Sequence, residues 1–348
     1  MSSAALCNKT STVHDGRRRA RLILSLLAAL ALLAVLGACM IGSVRLSPNE
    51  LFTALIDMAH GQSASLGASL LELRLNRAML AFVTGAMLAL AGVMMQALLR
   101  NPLADPYVLG VSGGAAVGAL AVMLFFGSLW LVDVAAFCGA VLVALLLYVL
   151  AQRDLRGAIA ENNSSLLLLT GVIVASGCGA LVTLMLSLAP DGRLRGMVFW
   201  LIGDLSGSQL HVLPWIVLAA AMLFALRAAR SINIMALHAD AAATLGVRVG
   251  ALRKGLFLSA ALLTATAVSS AGSIGFVGLI VPHACRFALG PDHRLLLPAS
   301  ALVGGIFLVF ADTLARMLLA PQQLPVGVIT SLIGVPVFLM QLHHLRKR

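Results

Sequence analysis

Long apolar stretches dominate this sequence, and most of them are long enough to form a helix that crosses a membrane. Such a helix needs about 20 mostly apolar residues, because in hydrocarbon only its own backbone hydrogen bonds can satisfy its peptide groups. The stretches predict ten helices, at residues 22–41, 78–99, 107–126, 134–151, 166–189, 212–226, 256–271, 274–289, 295–319 and 325–342. They lack the alternation of a membrane β-strand, so the pattern predicts an all-α integral membrane protein.

The number of spans is open at one point, because the stretch at 274–289 is short and is interrupted by Pro282, His283 and Arg286. Nine spans are therefore the alternative to ten. Charge favours ten, with both termini in the cytoplasm and residues 346–348 forming a basic cytoplasmic tail. In that topology only six of the 24 Lys and Arg residues remain outside, as the positive-inside rule requires: Arg45, Arg74, Arg77, Arg193, Arg195 and Arg316.

The beginning of the chain has two interpretations. The first apolar stretch follows a basic segment, residues 1–21, and ends in Leu36-Gly37-Ala38-Cys39, which is similar to a lipoprotein cleavage site. Apolar regions of signal peptides usually run to about 7–15 residues. Because this stretch is longer, we expect an uncleaved first helix preceded by a cytoplasmic tail.

Composition agrees with a bilayer as the solvent, since 61% of the 348 residues are hydrophobic and only 11% are charged. The net charge of +11 is accounted for by basic residues at helix ends facing anionic headgroups, so no nucleic-acid partner is implied. The five cysteines form no C-x-x-C pair, and no cluster of His, Asp, Glu and Cys gathers within the stretches. We therefore predict no catalytic residue, no metal site and no cofactor in this chain.

The acidic residues bear on how transport would be driven. Carriers that use ion gradients usually keep ionisable groups in mid-membrane, but of the 13 acidic residues only Asp312 lies within a stretch. A phosphate loop of the form G-x-x-x-x-G-K-[ST] is absent as well. An ion-driven secondary transporter and a membrane enzyme are thus disfavoured, and the energy for transport should come from another polypeptide.

Two loop regions carry further structure. Between the second and third stretches, residues 100–114 contain two prolines and several glycines, which favours a tight re-entrant turn over an ordinary helix hairpin. Between the sixth and seventh stretches, the Ala-rich segment from Leu237 to Leu245 predicts a short helix that ends at Gly246. From the residues alone, this helix is either an interfacial anchor or a docking element.

Several motifs together resemble the FecCD-type permeases, which serve importers of iron siderophores, haem and vitamin B12. They appear in the family's order along residues 22–345, and one departure is Asn76, where the family commonly has proline. The motifs are Leu73-Arg74-Leu75-Asn76-Arg77, Asn101-Pro102-Leu103-Ala104-Asp105-Pro106, the run from Ala271 to His283, Asp292-His293-Arg294, and Leu324-Pro325-Val326-Gly327.

The resemblance implies a vitamin B12 permease-like fold of the type II ABC importers, with ten transmembrane helices per subunit. Residues 22–345 would form a single permease domain in the bacterial inner membrane. Its partners would be a second copy of the chain, two cytoplasmic ATPase subunits that bind ATP and Mg, and a periplasmic binding protein. The cargo would be an iron chelate, either a siderophore or haem, or alternatively vitamin B12.

The resemblance also implies roles for particular residues, which we treat as expectations. Coupling helices at about 237–250 would contact the ATPase, a cytoplasmic gate would lie near the membrane surface, and basic residues would meet the binding protein. The coupling residues are Leu237, Ala239, Asp240, Ala241, Leu245, Gly246 and Val247, the gate residues are Leu103, Ser164 and Ser165, and the docking residues are Arg74, Arg77 and Arg316. Arg193 and Arg195 are either contacts for an anionic cargo or solvated loop charges.

Overall fold

A computed structural model describes residues 3–42, 66–152, 163–206, 211–237 and 239–346. These residues form α-helices joined by short connections, and none of them lies in a β-strand, which confirms the all-α prediction. The helices are α1 (Ser3–Met40), α2 (Leu66–Leu99), a 3-10 helix (Pro106–Leu109), α3 (Val111–Phe125), α4 (Leu129–Leu150), α5 (Asn163–Leu188), α6 (Asp191–Ile202), α7 (Leu213–Leu237), α8 (Ala239–Thr244), α9 (Val249–Ala271), α10 (Val277–Leu289), α11 (His293–Met317) and α12 (Val326–Arg346).

Each of the ten predicted stretches coincides with one of these helices. Seven of them, α1, α2, α4, α5, α7, α9 and α11, are long and apolar enough to cross a membrane. The other three, α3, α10 and α12, are apolar but offer shorter stretches within the described residues. Within the described residues seven helices are therefore candidates for full-length spans, and the count of ten depends on three shorter helices.

The predicted boundaries are too narrow for several helices. Helix α2 begins at Leu66 rather than at 78, and α9 begins at Val249 rather than at 256. Both extensions contain arginine, so a search for continuous apolar stretches does not include these helical turns. Arginine is tolerated in these turns, because its long side chain can cover apolar surface while its charged end reaches a partner or water. The helices therefore extend further than their apolar stretches.

Helix α6 is a further difference, because the sequence pattern places its residues in a loop. The helix has twelve residues, three of them charged, so it is too short and too polar to be predicted as a membrane span. Asp191 in the first turn complements the helix dipole, which favours a helix start. The buried Met197 anchors α6 in the protein. Arg193 and Arg195 are thus helical residues and not residues of a loop.

Helix α2 is the centre of the bundle, since 89% of its most apolar segment is buried. Glycines allow its backbone to touch its neighbours: a Cβ added to Gly85 would overlap the carbonyl of Gly304 in α11, and one added to Gly92 would overlap the carbonyl of Gly278 in α10. Small residues at helix contacts are the usual means of close packing in membranes. Gly85 and Gly92 therefore allow α2 to pack closely against α11 and α10.

The bundle has two ends, to which we give names. At the arginine end, α3, α5 and α11 finish while α4, α7 and α12 begin, and Arg77 and Arg316 lie there. At the α8 end, α2, α4 and α7 finish while α9 and α11 begin. Glycines with positive φ follow α9 and α10, where Gly272 has φ 70° and Gly290 has φ 95°.

Candidate coupling and docking sites

The sequence predicts a short helix from Leu237 to Leu245, and the structure has one, α8, at Ala239–Thr244. It lies in the connection between α7 and α9. Its C-terminus forms a Schellman motif, in which Gly246 N donates to Ala243 O and Val247 N donates to Ala242 O, both at 3.0 Å. Gly246 has φ 80°, a conformation that residues with a Cβ rarely adopt. The motif fixes the path of the chain from α8 into α9.

The predicted coupling residues divide into two groups. Leu245 is 69% exposed, Gly246 is exposed and Val247 is half-buried, so an apolar side chain protrudes at the tip of the bundle. For the remaining four, the backbone is helical but the side chains lie outside the described part of the structure: Leu237, Ala239, Asp240 and Ala241.

A polar clamp joins the last turns of α7, just before α8, to the α10–α11 connection. Asn233 Nδ2 donates to Asp292 Oδ1 at 2.7 Å, while Asn233 Oδ1 accepts from His293 N at 3.0 Å. The His293 Nδ1 atom lies 2.7 Å from the same oxygen. Asp292 also caps α11 by accepting from Arg294 N at 3.0 Å. The clamp holds the base of α8 in a fixed position.

The clamp also affects the acidity of Asp292. Partial burial would raise the pKa of this carboxyl, but hydrogen bonds from Arg294 N and Asn233 lower the pKa below its usual range. Asp292 is therefore ionised near neutral pH and remains an acceptor for both partners. An Asp before an apolar helix is a recognisable N-cap signal, but nothing in the sequence identifies Asn233 as its partner.

The segment between α2 and α3 is a re-entrant turn, as predicted. Asn101 Oδ1 accepts from Leu103 N at 2.9 Å, and Asp105 Oδ1 accepts from Tyr107 N at 2.7 Å. The side chain of Leu103 is 40% exposed. Ser164 and Ser165 belong to the first turn of α5, and their side chains lie outside the described part of the structure.

This turn meets a second break in helical structure, between α9 and α10. Tyr107 Oη accepts a hydrogen bond from Ile274 N at 3.1 Å. Pro106 lies against Gly278, and Gly278 in turn lies against the backbone of α2 at Leu88. Irregular backbone within a membrane bundle is tolerated only where protein or a water-filled cavity surrounds it, and each of these two connections is covered by the other.

The three predicted docking arginines lie near one another at the arginine end, and two of them share one carboxylate. Asp312, only 1% exposed, pairs with Arg77 at 2.8 Å and with Arg316 at 3.1 Å. Arg77 also donates to Gln323 Oε1 at 2.7 Å. Arg74 is buried and donates to Cys39 O at 3.0 Å. Two guanidinium groups thus share a single acid while Arg74 binds the C-terminus of α1, which leaves an excess of positive charge below the surface.

The remaining two candidates, Arg193 and Arg195, have different surroundings. Arg193 donates to Leu124 O at 2.6 Å and to Met123 O at 3.1 Å, so it caps the C-terminus of α3. Arg195 lies over the ring of Phe199 at 5.3 Å and lines a cavity. Among the residues that the structure describes, no three His, Cys, Asp or Glu side chains are grouped as metal ligands.

An enclosed central helix surrounded by long apolar helices is the architecture of a multi-pass helical membrane protein. A model of the FecCD transport family matches residues 27–344. The chain belongs to the FecCD transport family.

Individual relatives agree with this assignment. The chain is 38% identical over 334 residues to the hemin transport system permease protein HmuU of Yersinia pestis, covering 93% of this chain and 96% of that protein. It is 45% identical over 272 residues to the cobalamin import system permease protein BtuC of Halobacterium salinarum, covering 77% and 71% respectively. Since these relatives are permeases, the chain is a permease subunit of an ABC transporter and not an enzyme.

A solved structure supports the same fold. A metal-chelate-type ABC transporter in an inward-facing conformation superimposes with a TM-score of 0.79 at 30% identity. The match covers 93% of this chain and 99% of that one. The family resemblance and its expected permease fold are therefore confirmed for nearly the whole chain.

Proposed function

We propose that this permease works in a binding-protein-dependent importer that moves a bulky metal chelate into the cytoplasm. The cargo is an iron siderophore, haem or a corrinoid such as vitamin B12. The names of the relatives support this range, since one transports hemin and another cobalamin. Two copies of the chain form the pathway, and two separate ATPase subunits bind ATP and Mg. The sparse acidic residues of the helices do not favour an ion-driven carrier.

In this proposal ten helices cross the bacterial inner membrane, and both termini are cytoplasmic. The arginine end faces the periplasm and the α8 end faces the cytoplasm. Basic residues at the α8 end support this orientation through the positive-inside rule, and they include Arg227, Arg230, Arg253, Lys254 and Arg286. The gate residues Leu103, Ser164 and Ser165 would then lie on the cytoplasmic side.

The exposed Leu245 beside α8 is the observation that carries the coupling part of the proposal. An apolar side chain at a bundle tip contributes little to the fold, but it can enter a groove of a partner protein. Its position is fixed by the turn at Gly246 and by the Asn233 clamp. A rigid, protruding contact can transmit movement between an ATPase and the helices of the bundle.

Replacing Leu245 with glutamate should release the ATPase while the permease still inserts and folds. A buried, unpaired carboxylate in the interface is expected to weaken binding by about 2 kcal/mol or more. Leu319→Glu is the matched control, because Leu319 is 55% exposed at the arginine end. The measurement is co-purification of the ATPase in detergent, and equal recovery with both variants would remove the coupling assignment.

The docking role of Arg74, Arg77 and Arg316 rests on their excess of positive charge, which would attract acidic groups of the binding protein. Arg74→Gln should weaken binding at low salt, and the difference should vanish near 1 M salt, where charges are screened within about 3 Å. Arg18→Gln, an exposed arginine on α1, is the control. Identical salt dependence for both variants and the wild type would contradict the proposal.

A further inference from the structure

A large cavity at the arginine end is not explained by coupling, docking or the helix breaks. Its volume is about 1190 Å³, and its walls come from α4, α6, the start of α7 and the end of α9. Large apolar side chains that line it are exposed, including Val134 at 54%, Leu213 at 53% and Trp130 at 73%. Exposed apolar side chains therefore border the cavity, as is usual on a surface that faces lipid in a bilayer.

One face of α9 runs from this cavity toward the middle of the helix's length, and its polarity changes along the way. Leu258, Leu262, Thr266 and Ser270 follow one another at intervals of four residues, so they form a single stripe along the helix. Leu258 is 46% exposed and Leu262 is 42% exposed, whereas the two hydroxyl residues line the cavity. The stripe is apolar in the middle of α9 and polar near the C-terminus of the helix. A phospholipid likewise has apolar acyl chains and a polar headgroup.

Tryptophan residues indicate the depth of the cavity in the membrane. The chain has three tryptophans, and Trp130 and Trp200 line the cavity. The third, Trp215 in the first turns of α7, stacks on Phe82 with ring centroids 6.2 Å apart. Because tryptophan is enriched where hydrocarbon meets headgroups, this grouping puts the cavity at the headgroup level.

The charged groups of the cavity carry both signs. Arg195, on α6, supplies a cation, Asp133 and Asp204 supply carboxylates, and the ring of His211 lies near Asp133. Asp204 is held in place, because Ser206 N donates to its Oδ1 at 2.9 Å and its own N donates to Ala271 O at 3.0 Å. A purely anionic ligand would meet two carboxylates, and a purely cationic one would meet arginine, so the lining fits a zwitterion.

We propose that this cavity binds a zwitterionic phospholipid with a primary amine, such as phosphatidylethanolamine. Arg195 faces the phosphate, and Asp133 and Asp204 accept hydrogen bonds from the ammonium group. The tryptophan rings add a favourable cation–π contact, and one acyl chain follows Leu262 and Leu258. This site requires only that the bundle spans a bilayer, and it is independent of the cargo and of the ATPase.

The test is native mass spectrometry of the purified permease, loaded with lipids that share the same acyl chains. Phosphatidylethanolamine should be retained best and phosphatidylglycerol, which has no amine, least. Phosphatidylcholine should lie between them, because it keeps the positive charge but has no N–H donor. Equal retention of all three by the wild-type chain would overturn the proposal without any variant being needed.

Two variants separate the charges. Asp133→Asn should reduce retention of phosphatidylethanolamine about tenfold, since a hydrogen bond between two charged groups is lost, while phosphatidylglycerol is retained as before or better. Arg195→Gln should reduce retention of all three lipids, and Arg227→Gln, an exposed arginine near the α8 end, should change none. Unaltered lipid retention in Asp133→Asn and Arg195→Gln, or displacement of the lipid by haem, would overturn the assignment.

Discussion

Replacing Gly92 with leucine should prevent the bundle from assembling around α2. A Cβ at this position would overlap the carbonyl oxygen of Gly278, and the obstacle is backbone that cannot rotate away. Both α2 and α10 are enclosed at this contact, since Gly92 and Gly278 are buried. Overpacking of a dense interior costs about 1–3 kcal/mol and occasionally more, and we expect a loss of at least about 3 kcal/mol here.

The matched control is Gly37→Leu, because a Cβ added to Gly37 in α1 would have no atom within 4 Å. Leucine also favours a helix by roughly 1 kcal/mol over glycine, so this variant should be as stable as the wild type or slightly more stable. The measurement is thermal unfolding in detergent, together with the yield of monodisperse protein. Equal stability of the two variants would show that α2 and α10 are not packed backbone to backbone.

Asp312→Asn should be the most damaging change of a single charge. The substitution keeps the shape of the side chain but leaves Arg77 and Arg316 without the carboxylate that both contact. Breaking a buried ion pair by removing one partner costs about 3–5 kcal/mol, because the other charge stays desolvated. We expect a large drop in the midpoint of thermal unfolding, and separation of α2 from α11 at the arginine end.

Glu72→Gln is the control for this prediction, since Glu72 is an exposed acid on α2 at the same end. Exposed ion pairs contribute at most about 1 kcal/mol, so its loss should shift the midpoint little. If Asp312→Asn were as stable as Glu72→Gln, the arginine cluster would have to be held by other contacts.

The sequence predicts the features of this fold that depend on neighbouring residues. Apolar stretches locate all ten helices that the prediction names, and an Ala-rich segment followed by Gly246 predicts α8 with its left-handed end. The prolines and glycines at residues 100–114 predict the turn between α2 and α3. These signals are local, so a single sequence contains them.

The features that the sequence does not predict depend on contacts between distant residues. The hydrogen bond from Ile274 to Tyr107 and the clamp of Asn233 on Asp292 join segments far apart in the chain. Helix α6 is missed for another reason, since its stability comes from packing and from its N-terminal Asp191 and not from an apolar run. Likewise, nothing in the sequence indicates that Arg77 and Arg316 both pair with the buried carboxylate of Asp312.

The central claim, that this permease imports a metal chelate with energy from a separate ATPase, is tested most directly by uptake into proteoliposomes. The permease would be reconstituted with its ATPase and binding protein, and haem, a ferric siderophore and cobalamin would be offered in turn. We predict that uptake of one of them requires ATP and the ATPase, and continues when ionophores abolish all ion gradients. Uptake driven by an imposed proton or sodium gradient in the absence of the ATPase would contradict the claim.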